Sequence, residues 1–294
     1  MLTIFSVPKP FEGHIGLIQR NAIRSWRLLR PECQVLLCGN EAGSAEVAAE
    51  MGAEWIPDVE RNDFGTPRLD SVFAAAEARA RFPLLCYVNA DIVFLSDLIE
   101  AARRAAQARP RFLMVGQRWD LELREAIAFE REDWERDLRE LVARSGRLHD
   151  PSGSDYFLYP RGAIGVLPPF AVGRPAWDNW VIYRARCLRL PVMDATAATL
   201  VIHQNHPYGH VKQATDNTWE GPEAEQNREL VGGIERVFTL ADATHRITPT
   251  SVDRALDRAH LKRRVRTAMV LNPALRPLLD ALDRIRGVAA RRPS

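Results

Sequence analysis

The sequence predicts an α/β protein in which helices cover both faces of a mostly parallel sheet, a three-layer, Rossmann-like arrangement. Over the first hundred residues, short apolar runs alternate with longer stretches of helical periodicity. The resulting βαβαβαβ order is typical of parallel strands joined by helical crossovers. Polar side chains follow one of the apolar runs, and ligands of such sheets bind at the carboxyl ends of strands. A basic segment at the C-terminus adds a helical appendage.

Local signals place each element of the first half. Ile15, Ile18 and Trp26 share one face of an amphipathic helix. Gly52 is a C-cap glycine, and Pro83 ends the alanine-rich helix before it. The strands are predicted at 2–7, 34–38, 54–56 and 84–88, and the helices at 15–29, 44–51 and 70–81.

The second half is predicted to continue this pattern with longer excursions. The strongly charged stretch 122–144 is predicted to be a helix beside the site, with Leu138, Leu141 and Val142 as its apolar face. Further helices are predicted at 98–108 and 176–188, and strands at 112–115 and 200–203. The strand at 200–203 is predicted to be the last one. It is followed by a predicted loop at 204–222 and by one or two basic helices after Thr250. We therefore divide the chain into an α/β domain, 1–250, and a basic helical extension, 251–294.

Composition and charge restrict the function classes. The 294 residues are 46% hydrophobic and 27% charged, and the net charge of +2 does not indicate nucleic-acid binding. No signal peptide and no apolar run long enough to span a membrane are visible. The four cysteines form no CxxC pair, so we expect buried free thiols and a reducing compartment, the cytoplasm.

The stretch Tyr87-Val-Asn-Ala-Asp-Ile-Val-Phe94 is the most informative part of the chain. An unpaired carboxylate is costly inside a buried strand, so Asp91 is expected at a strand end. Alternate side chains of an extended segment share a side, which pairs the oxygens of Asn89 and Asp91. Two hard oxygen ligands suit Mg²⁺ or Mn²⁺ holding a diphosphate. The simpler alternative is a turn in which Asp91 is only a cap.

Two further groups of residues invite a chemical interpretation. Asp178 opens the helix predicted at 176–188, where an N-cap role would by itself explain an aspartate. Three histidines, His203, His206 and His210, fall within eight residues after the strand predicted at 200–203. An imidazole there can complete a metal shell begun by carboxylates, although a lone histidine at a strand end is usually structural.

The order of these motifs resembles that of nucleotide-sugar glycosyltransferases of the GT-A fold, family-2-like, over about residues 1–215. Asn89-Ala90-Asp91 is similar to their DxD motif, with Asn89 in place of the first carboxylate. The Asp178 segment looks like their acidic motif, usually Glu-Asp, with Trp177 in place of the glutamate. His203 matches the late histidine that joins the DxD metal.

The resemblance implies a metal-dependent, inverting hexosyl- or related transferase, with Mn²⁺ or Mg²⁺ as cofactor. Its donor would be a nucleotide-diphosphate sugar, and its acceptor a hydroxyl of a glycan or lipid-linked molecule. The implied roles are catalytic base for Asp178; metal ligands for Asp91, His203 and Asn89; nucleotide-sugar contacts for Pro8, Lys9, Glu41, Arg68, Asp70, Asn89, Ala90, His206 and Lys212; and acceptor contacts for Asp155, Tyr156, Trp177 and Trp180.

Other classes stay open or are excluded. A retaining GT-A enzyme is an alternative because residues 206–212 fit an HxxGxxK pattern. A non-catalytic nucleotide-sugar binder is another, since Asn89 replaces a carboxylate. A dinucleotide oxidoreductase is disfavoured because no GxGxxG follows the first strand, and a P-loop kinase because no GxxxxGK[ST] occurs.

The C-terminal segment is unlike the rest of the chain in charge. From Asp253 onward it has eleven lysines and arginines against four acidic residues, a net charge of +7, whereas residues 1–252 carry −5. Apolar residues among the arginines predict amphipathic helices. They are expected either to dock on an anionic surface, such as the inner face of a membrane, or to pack on the α/β domain or on a second subunit.

Overall fold

The computed structural model describes residues 1–206, 219–272 and 274. These residues form the predicted α/β architecture, with a mostly parallel central sheet between two layers of helices. None of the described helices is both long and apolar enough to cross a membrane. The strands are β1 (Leu2–Ser6), β2 (Gln34–Cys38), β3 (Glu54–Ile56), β4 (Leu84–Val88), β5 (Ile92–Val93), β6 (Leu113–Val115), β7 (Trp119–Leu121), β8 (Arg147–Leu148), β9 (Tyr156–Pro160), β10 (Val192–Asp194), β11 (Ile202–Gln204), β12 (His245–Ile247) and β13 (Val252–Arg254).

The helices follow the strands in the order expected for crossover connections. Gly52 adopts the left-handed conformation that ends the second helix, as its sequence position predicts. Two short 3₁₀ segments, Ile234–Arg236 and Leu240–Asp242, precede β12. The α-helices are α1 (Gly13–Leu28), α2 (Ser44–Met51), α3 (Leu69–Arg79), α4 (Asp97–Ala108), α5 (Trp134–Ser145), α6 (Trp177–Cys187), α7 (Pro222–Val231) and α8 (Arg258–Leu271).

The central sheet has nine strands among the described residues, in the order β3-β2-β1-β4-β9-β6-β10-β12-β13. The pairs within β3-β2-β1-β4 and within β6-β10-β12 are parallel. β9 runs antiparallel between β4 and β6, and β13 is antiparallel to β12 at the edge. The carboxyl ends of β1, β2 and β4 therefore meet at one edge of the sheet.

Alternating side chains of the strands supply two separate cores. In β4, Leu85 and Tyr87 pack with α3 and α6 on one face, while Cys86 and Val88 pack with α1 and α4 on the other. Burial on both faces is what a continuous apolar run requires, and it explains why the predicted limits of β2 and β4 are confirmed. The predicted limits of the edge strand β3 are also confirmed, although Trp55 is exposed. The predicted free thiols are also confirmed, with Cys33, Cys38 and Cys86 buried.

A second, four-stranded sheet assembles the polar residues. Its order is β5-β11-β7-β8, with β11 antiparallel to β5 and parallel to β7. In this register His203 of β11 lies opposite Ile92 on one side and Asp120 on the other. The pairing therefore places His203 and Asp120 side by side, and Asp91, which directly precedes β5, lies diagonal to His203.

The charged stretch 122–144 is not one helix, so that prediction is wrong for its first half. Only Trp134–Ser145 is helical, and residues 122–133 are irregular. The buried side chain of Asn21 replaces part of the missing helical hydrogen bonding, since it donates to Glu125 O at 3.2 Å and accepts from Ile127 N at 3.1 Å. A long-range side-chain contact of this kind leaves no local sequence signal.

One other prediction needs correction. The strand near His203 is not the last one, because β12 and β13 follow it in the chain. These two strands pair across the boundary placed between residues 250 and 251, so Val252–Arg254 belong to the central sheet and the helical part begins at Arg258. Short two- or three-residue strands such as β10, β12 and β13 are too brief to show a period in the sequence. The domain division itself stays a prediction.

Asn21→Leu is expected to lower the free energy of unfolding by about 2–3 kcal/mol, because the leucine leaves buried hydrogen-bonding groups of Gln204, Glu125 and Ile127 without their partner. Urea unfolding followed by circular dichroism measures the change. The matched control is Gln107→Leu on the exposed face of α4, expected within about 0.5 kcal/mol of the parent. Equal stabilities of the two variants would contradict the role given to Asn21.

Candidate functional site

One carboxylate and two imidazoles converge just beyond β4. Nε2 of His206 lies 3.1 Å from Oδ2 of Asp91, and Nε2 of His203 lies 3.8 Å from the same oxygen. One ligand atom from each residue falls within 4.8 Å of the others. We call these three residues the Asp91 cluster. The other Asp91 oxygen, Oδ1, is buried and has no hydrogen-bond partner among the described residues, as expected for an atom reserved for a ligand.

Charge polarises the Asp91 cluster. Burial by itself would raise the pKa of Asp91, but the His206 and His203 imidazoles, together with Lys9, hold that pKa well below its usual range. Burial likewise opposes a charged His203, yet Asp120 and Asp91 outweigh it and raise the pKa of that imidazole. A carboxylate that stays ionised in a buried position, beside two imidazole nitrogens, is a suitable donor set for a divalent cation.

Hydrogen bonds from buried side chains fix the backbone at Asp91 and Ile92. Gln204, fully buried, donates from its side-chain nitrogen to Asp91 O at 3.1 Å and to Ile18 O at 2.8 Å. The indole of Trp26 donates to Ile92 O at 2.8 Å. Helix α1 therefore holds the turn between β4 and β5, so the Asp91 carboxylate is presented by a rigid support.

Asp120 lies behind the Asp91 cluster and was not predicted from the sequence. Its Oδ1 is 3.3 Å from Nδ1 of His203, and its Oδ2 is 3.0 Å from Nδ1 of His149. This arrangement leaves Nε2 of His203 facing Asp91, the orientation that a carboxylate behind a metal-binding histidine enforces. Burial opposes ionisation of Asp120, but these histidines and Arg118 hold its pKa far below the usual range. The alternation Arg118-Trp-Asp120 in a short strand was its only sequence signal.

Asn89 is turned towards a neighbouring carboxylate. Its side-chain nitrogen donates to Oδ1 of Asp155 at 2.7 Å, its backbone N–H donates to Asp155 O at 2.9 Å, and its side-chain oxygen lies 3.3 Å from the Tyr87 hydroxyl. Arg118 in turn donates to Oδ2 of Asp155 at 2.5 Å. The structure thus joins Asn89 to Asp155, which had been assigned to the acceptor, and the predicted contact of Asn89 with a metal stays a prediction.

Asp178 lies inside the first turn of α6 and is not its N-cap. The cap position is Ala176, a non-glycine residue held at φ 74°, and no side chain caps the helix. Strained backbone of this kind is concentrated at functional sites. Oδ2 of Asp178 accepts a hydrogen bond from the backbone N–H of Ser154, at 3.4 Å. The simple capping role that the sequence allowed is therefore not what the structure shows.

Burial raises the pKa of Asp178 to about 6, against hydrogen bonds from Asn179 and Ser154, and the nearby Asp155 charge raises it further. A carboxylate with a pKa near 6 is ionised at neutral pH yet is a stronger base than an ordinary aspartate. Burial, followed by Asp91, Asp155 and Asp178, also raises the pKa of Tyr87. The charges of Asp91 on the predicted metal side and of Asp178 on the predicted base side therefore both act on one hydroxyl, which lies 3.3 Å from the side-chain oxygen of Asn89.

The remaining nucleotide-sugar residues lie at the ends of β1, β2 and β4 and at the start of α3, without forming one cluster. Pro8 is buried and Lys9 exposed after β1, and Ala90 is buried between Asn89 and Asp91. Glu41 after β2 pairs with Arg61 at 2.7 Å. Arg68 binds Asp70 at 2.6 Å and Glu60 at 2.8 Å, so these side chains are engaged with each other. Lys212 lies outside the described residues.

The aromatic residues assigned to the acceptor belong to the core. Tyr156 is fully buried and places its hydroxyl 3.5 Å from Thr199. Trp177 packs edge-on against Tyr87 and Trp180 against Phe170, with 5% and 8% of their surfaces exposed. A ring buried on both faces cannot stack on a sugar. We therefore do not assign Tyr156, Trp177 and Trp180 to acceptor binding.

Mn²⁺ is expected to raise the melting temperature of the full chain, because a ligand that binds only the folded state stabilises it. Asp91→Asn should abolish this shift, and Asp120→Asn should weaken the apparent Mn²⁺ affinity about 10–100-fold by freeing the His203 ring. Titration by differential scanning fluorimetry gives both affinities. Asp63→Asn, on an exposed loop, is the control. An unchanged Mn²⁺ response in Asp91→Asn would contradict the metal assignment.

Comparison with known proteins gives a fold but no close relative. No protein-family model and no curated protein sequence matches the chain. Among solved structures, the chain is similar to S. aureus TarS 1-349 in complex with UDP-GlcNAc, at a TM-score of 0.50 and 10% identity over 93% of this chain and 72% of that one. A second crystal structure of S. aureus TarS 1-349 matches at a TM-score of 0.47 and 10% identity over 69% of this chain. There the chain spans only 60% of TarS 1-349.

A third solved structure is glucosyl-3-phosphoglycerate synthase from Mycobacterium tuberculosis in complex with Mg²⁺ and UDP. Its TM-score is 0.46 at 12% identity, over 81% of this chain and 79% of that one. The likeness to the TarS complex and the strand order of the central sheet agree with the predicted fold class. The chain therefore has the GT-A fold of nucleotide-sugar glycosyltransferases.

Proposed function

We propose that this protein is a metal-dependent glycosyltransferase that moves a sugar from a nucleotide-diphosphate sugar to a hydroxyl group of a glycan or lipid-linked acceptor. The observation that carries the proposal is the Asp91 cluster at the carboxyl end of β4, together with a carboxylate of raised pKa, Asp178, which accepts from the backbone N–H of Ser154 beside Asp155. In an open α/β sheet this edge is where ligands bind.

The Asp91 cluster would hold Mn²⁺ or Mg²⁺, and the bound cation would offset the negative charge of the diphosphate as it departs. Imidazole ligands suit Mn²⁺ better than Mg²⁺, which prefers oxygen donors and several waters. His206 is assigned to the metal here instead of to the diphosphate, because its Nε2 is 3.1 Å from Asp91. Asp120 keeps His203 oriented, and Lys9 at the end of β1 is available to the phosphates.

Asp178 is the proposed general base. The acceptor hydroxyl oxygen forms a bond to the anomeric carbon, the bond between that carbon and the diphosphate oxygen breaks, and the hydroxyl proton passes to the Asp178 carboxylate. Attack from the side opposite the departing diphosphate inverts the anomeric centre. Asp155, held by Asn89 and Arg118, is the candidate for binding an acceptor hydroxyl.

A second candidate function is nucleotide-sugar binding without transfer. It is favoured by Asn89, whose amide stands where the resemblance leads one to expect a carboxylate and is committed to Asp155. A pure binder would respond to nucleotide sugar and Mn²⁺ in a thermal-shift screen but would form no product. A retaining transferase would form product with the donor's anomeric configuration, which NMR of the product distinguishes from inversion.

Asp178→Asn is expected to lower turnover about 10²–10⁴-fold while donor binding changes little, because the base is removed and the shape kept. The donor is first chosen by thermal-shift screening of UDP-, GDP- and dTDP-sugars with Mn²⁺, and product is then quantified by chromatography. Asp150→Asn, at a fully exposed carboxylate, is the matched control. Parent-like turnover in Asp178→Asn would refute the base assignment.

The same residue predicts a pH dependence. Since the base must be ionised, kcat/KM should fall about tenfold per pH unit as the pH drops below about 6. Stability should change in the opposite direction, because the folded-state pKa of Asp178 is raised from 3.8: its contribution is full below pH 3.8 and is lost as the pH rises through about 6.

Asp178→Asn should therefore be more stable than the parent at pH 7, by about 2–3 kcal/mol, and equally stable near pH 4. Chemical unfolding at the two pH values measures this difference. A variant that is less stable than the parent at pH 7 would show that the Asp178 charge is compensated in the fold, and that the pKa of this group is not raised.

A further inference from the structure

Helix α8 exposes apolar side chains that soluble proteins ordinarily bury. Val265 is 69% exposed and Leu261 45% exposed, and Leu256, two residues before the helix, is 54% exposed. The sequence had allowed these residues to pack on the α/β domain instead. For Leu261 and Val265 the structure excludes that packing. Contiguous exposed apolar side chains of this kind can mark an interaction site.

The exposed face of α8 is regular. Leu261, Val265 and Met269 follow one another at intervals of four, which places them in one row along the helix. Arg258, Lys262 and Arg266 form a second row at the same interval, directly beside the first. We call these two rows, with Leu256, the α8 face. A cationic row beside an apolar row is the pattern of a helix that lies in a membrane interface.

The opposite side of α8 carries basic residues with structural roles. Arg263 donates to Asp242 at 2.8 Å, and Arg264 donates to Ala255 O at 2.8 Å and Thr244 O at 3.1 Å. His260 and Thr267 are buried on that side. Arg263 and Arg264 thus anchor the helix to the domain, whereas Arg258, Lys262 and Arg266 take no part in this anchoring.

These three cations have no counter-charge in the described part of the chain. None of Arg258, Lys262 and Arg266 forms an ion pair there, and the sequence of α8 contains no acidic residue. Elsewhere on the surface arginines commonly pair with neighbouring acids, such as Arg103 with Glu100 and Arg139 with Asp97. The α8 face therefore fits a partner that is negatively charged and offers an apolar layer beside its charges.

Three occupants can be compared on charge and area. The remaining chain, 273–294, has five arginines and two aspartates, so it repels the face electrostatically. A second copy would need an interface of about 800 Å² per partner, more than an apolar row of three side chains supplies. An anionic bilayer provides phosphates for the cations and, a few ångströms deeper, an apolar boundary for the leucine and valine side chains.

We propose that the α8 face binds the surface of anionic lipid bilayers. Arg258, Lys262 and Arg266 bind lipid phosphates, while Leu256, Leu261 and Val265 enter the boundary between headgroups and acyl chains. This inference goes beyond the proposed transferase function and does not depend on it, since it rests on a surface that shares no residue with the Asp91 cluster or with Asp178.

Vesicle co-sedimentation of the full-length chain tests the proposal. The chain is expected to bind phosphatidylcholine vesicles that contain about one third phosphatidylglycerol, and not vesicles of phosphatidylcholine alone. About 0.5 M salt should release it, because surface charges are then screened within a few ångströms. Absence of salt-sensitive binding to the anionic vesicles would overturn the proposal.

Two variants of the full-length chain assign the binding to α8. The triple variant Arg258→Gln, Lys262→Gln, Arg266→Gln should bind anionic vesicles about 100-fold more weakly. Leu261→Ser with Val265→Ser should bind about tenfold more weakly at unchanged charge. The matched control, Arg79→Gln, Arg109→Gln, Arg144→Gln, removes the same charge from exposed positions of other elements and should bind as the parent does.

Thermal melting of all variants verifies that they remain folded, which the exposure of the changed residues leads us to expect. Parent-like binding by the folded triple variant would overturn the proposal by moving the lipid contact to another part of the chain. A dimer that forms without vesicles in sedimentation velocity, and that the triple variant loses, would overturn it by identifying a second copy as the occupant.

Discussion

Arg118 lies between two carboxylates, and the geometry of the candidate site depends on this ion-pair cluster. Its Nε is 2.9 Å from Asp120 and its Nη1 is 2.5 Å from Asp155, with all three side chains no more than 11% exposed. A buried carboxylate without its cation would cost about 3–5 kcal/mol. The forked guanidinium satisfies both at once. Because Asp120 contacts His203 and Asp155 contacts Asn89, one cation positions the metal side and the base side together.

Charge is unbalanced in the described part of the site. Four carboxylates, those of Asp91, Asp120, Asp155 and Asp178, share one buried guanidinium. Lys9 near Asp91 and Arg147, 3.6 Å from Asp120, act only from the surface. Such a surplus of negative charge attracts a divalent cation and repels a free diphosphate. The cation and the nucleotide-sugar donor are therefore expected to bind cooperatively, because the bound cation offsets the negative charge that would otherwise repel the phosphates. The raised pKa of Asp178 follows from burial and from the same surplus, since Asp155 lies nearby.

Much of the fold could be predicted from local signals. The strands β2 and β4 are short buried runs next to glycine or proline, and the edge strand β3 ends before Pro57. Helix α2 ends at a glycine in the left-handed conformation, so the limits of all four elements agree with prediction. The four-stranded sheet was not predicted, because its strands have two or three residues each and only β11 overlaps a predicted strand, 200–203. The irregular stretch 122–133 was mistaken for helix, because its hydrogen bonds go to a side chain a hundred residues away, that of Asn21.

The sequence by itself determined the order of strands and helices up to β4, and the polar residues at a strand end that mark Asp91, because these depend on periodicity and on the cost of burying a charge. Only the tertiary structure decided which side chains meet. The register of β11 between β5 and β7 brings Asp91, His203 and Asp120 together, and β9 carries Asp155 to Asn89. It also buried Tyr156, Trp177 and Trp180, whose aromatic character suits a core and a sugar platform equally. Pairing between distant strands is set by packing and hydrogen bonding across the whole sheet, and no local stretch of sequence contains that information.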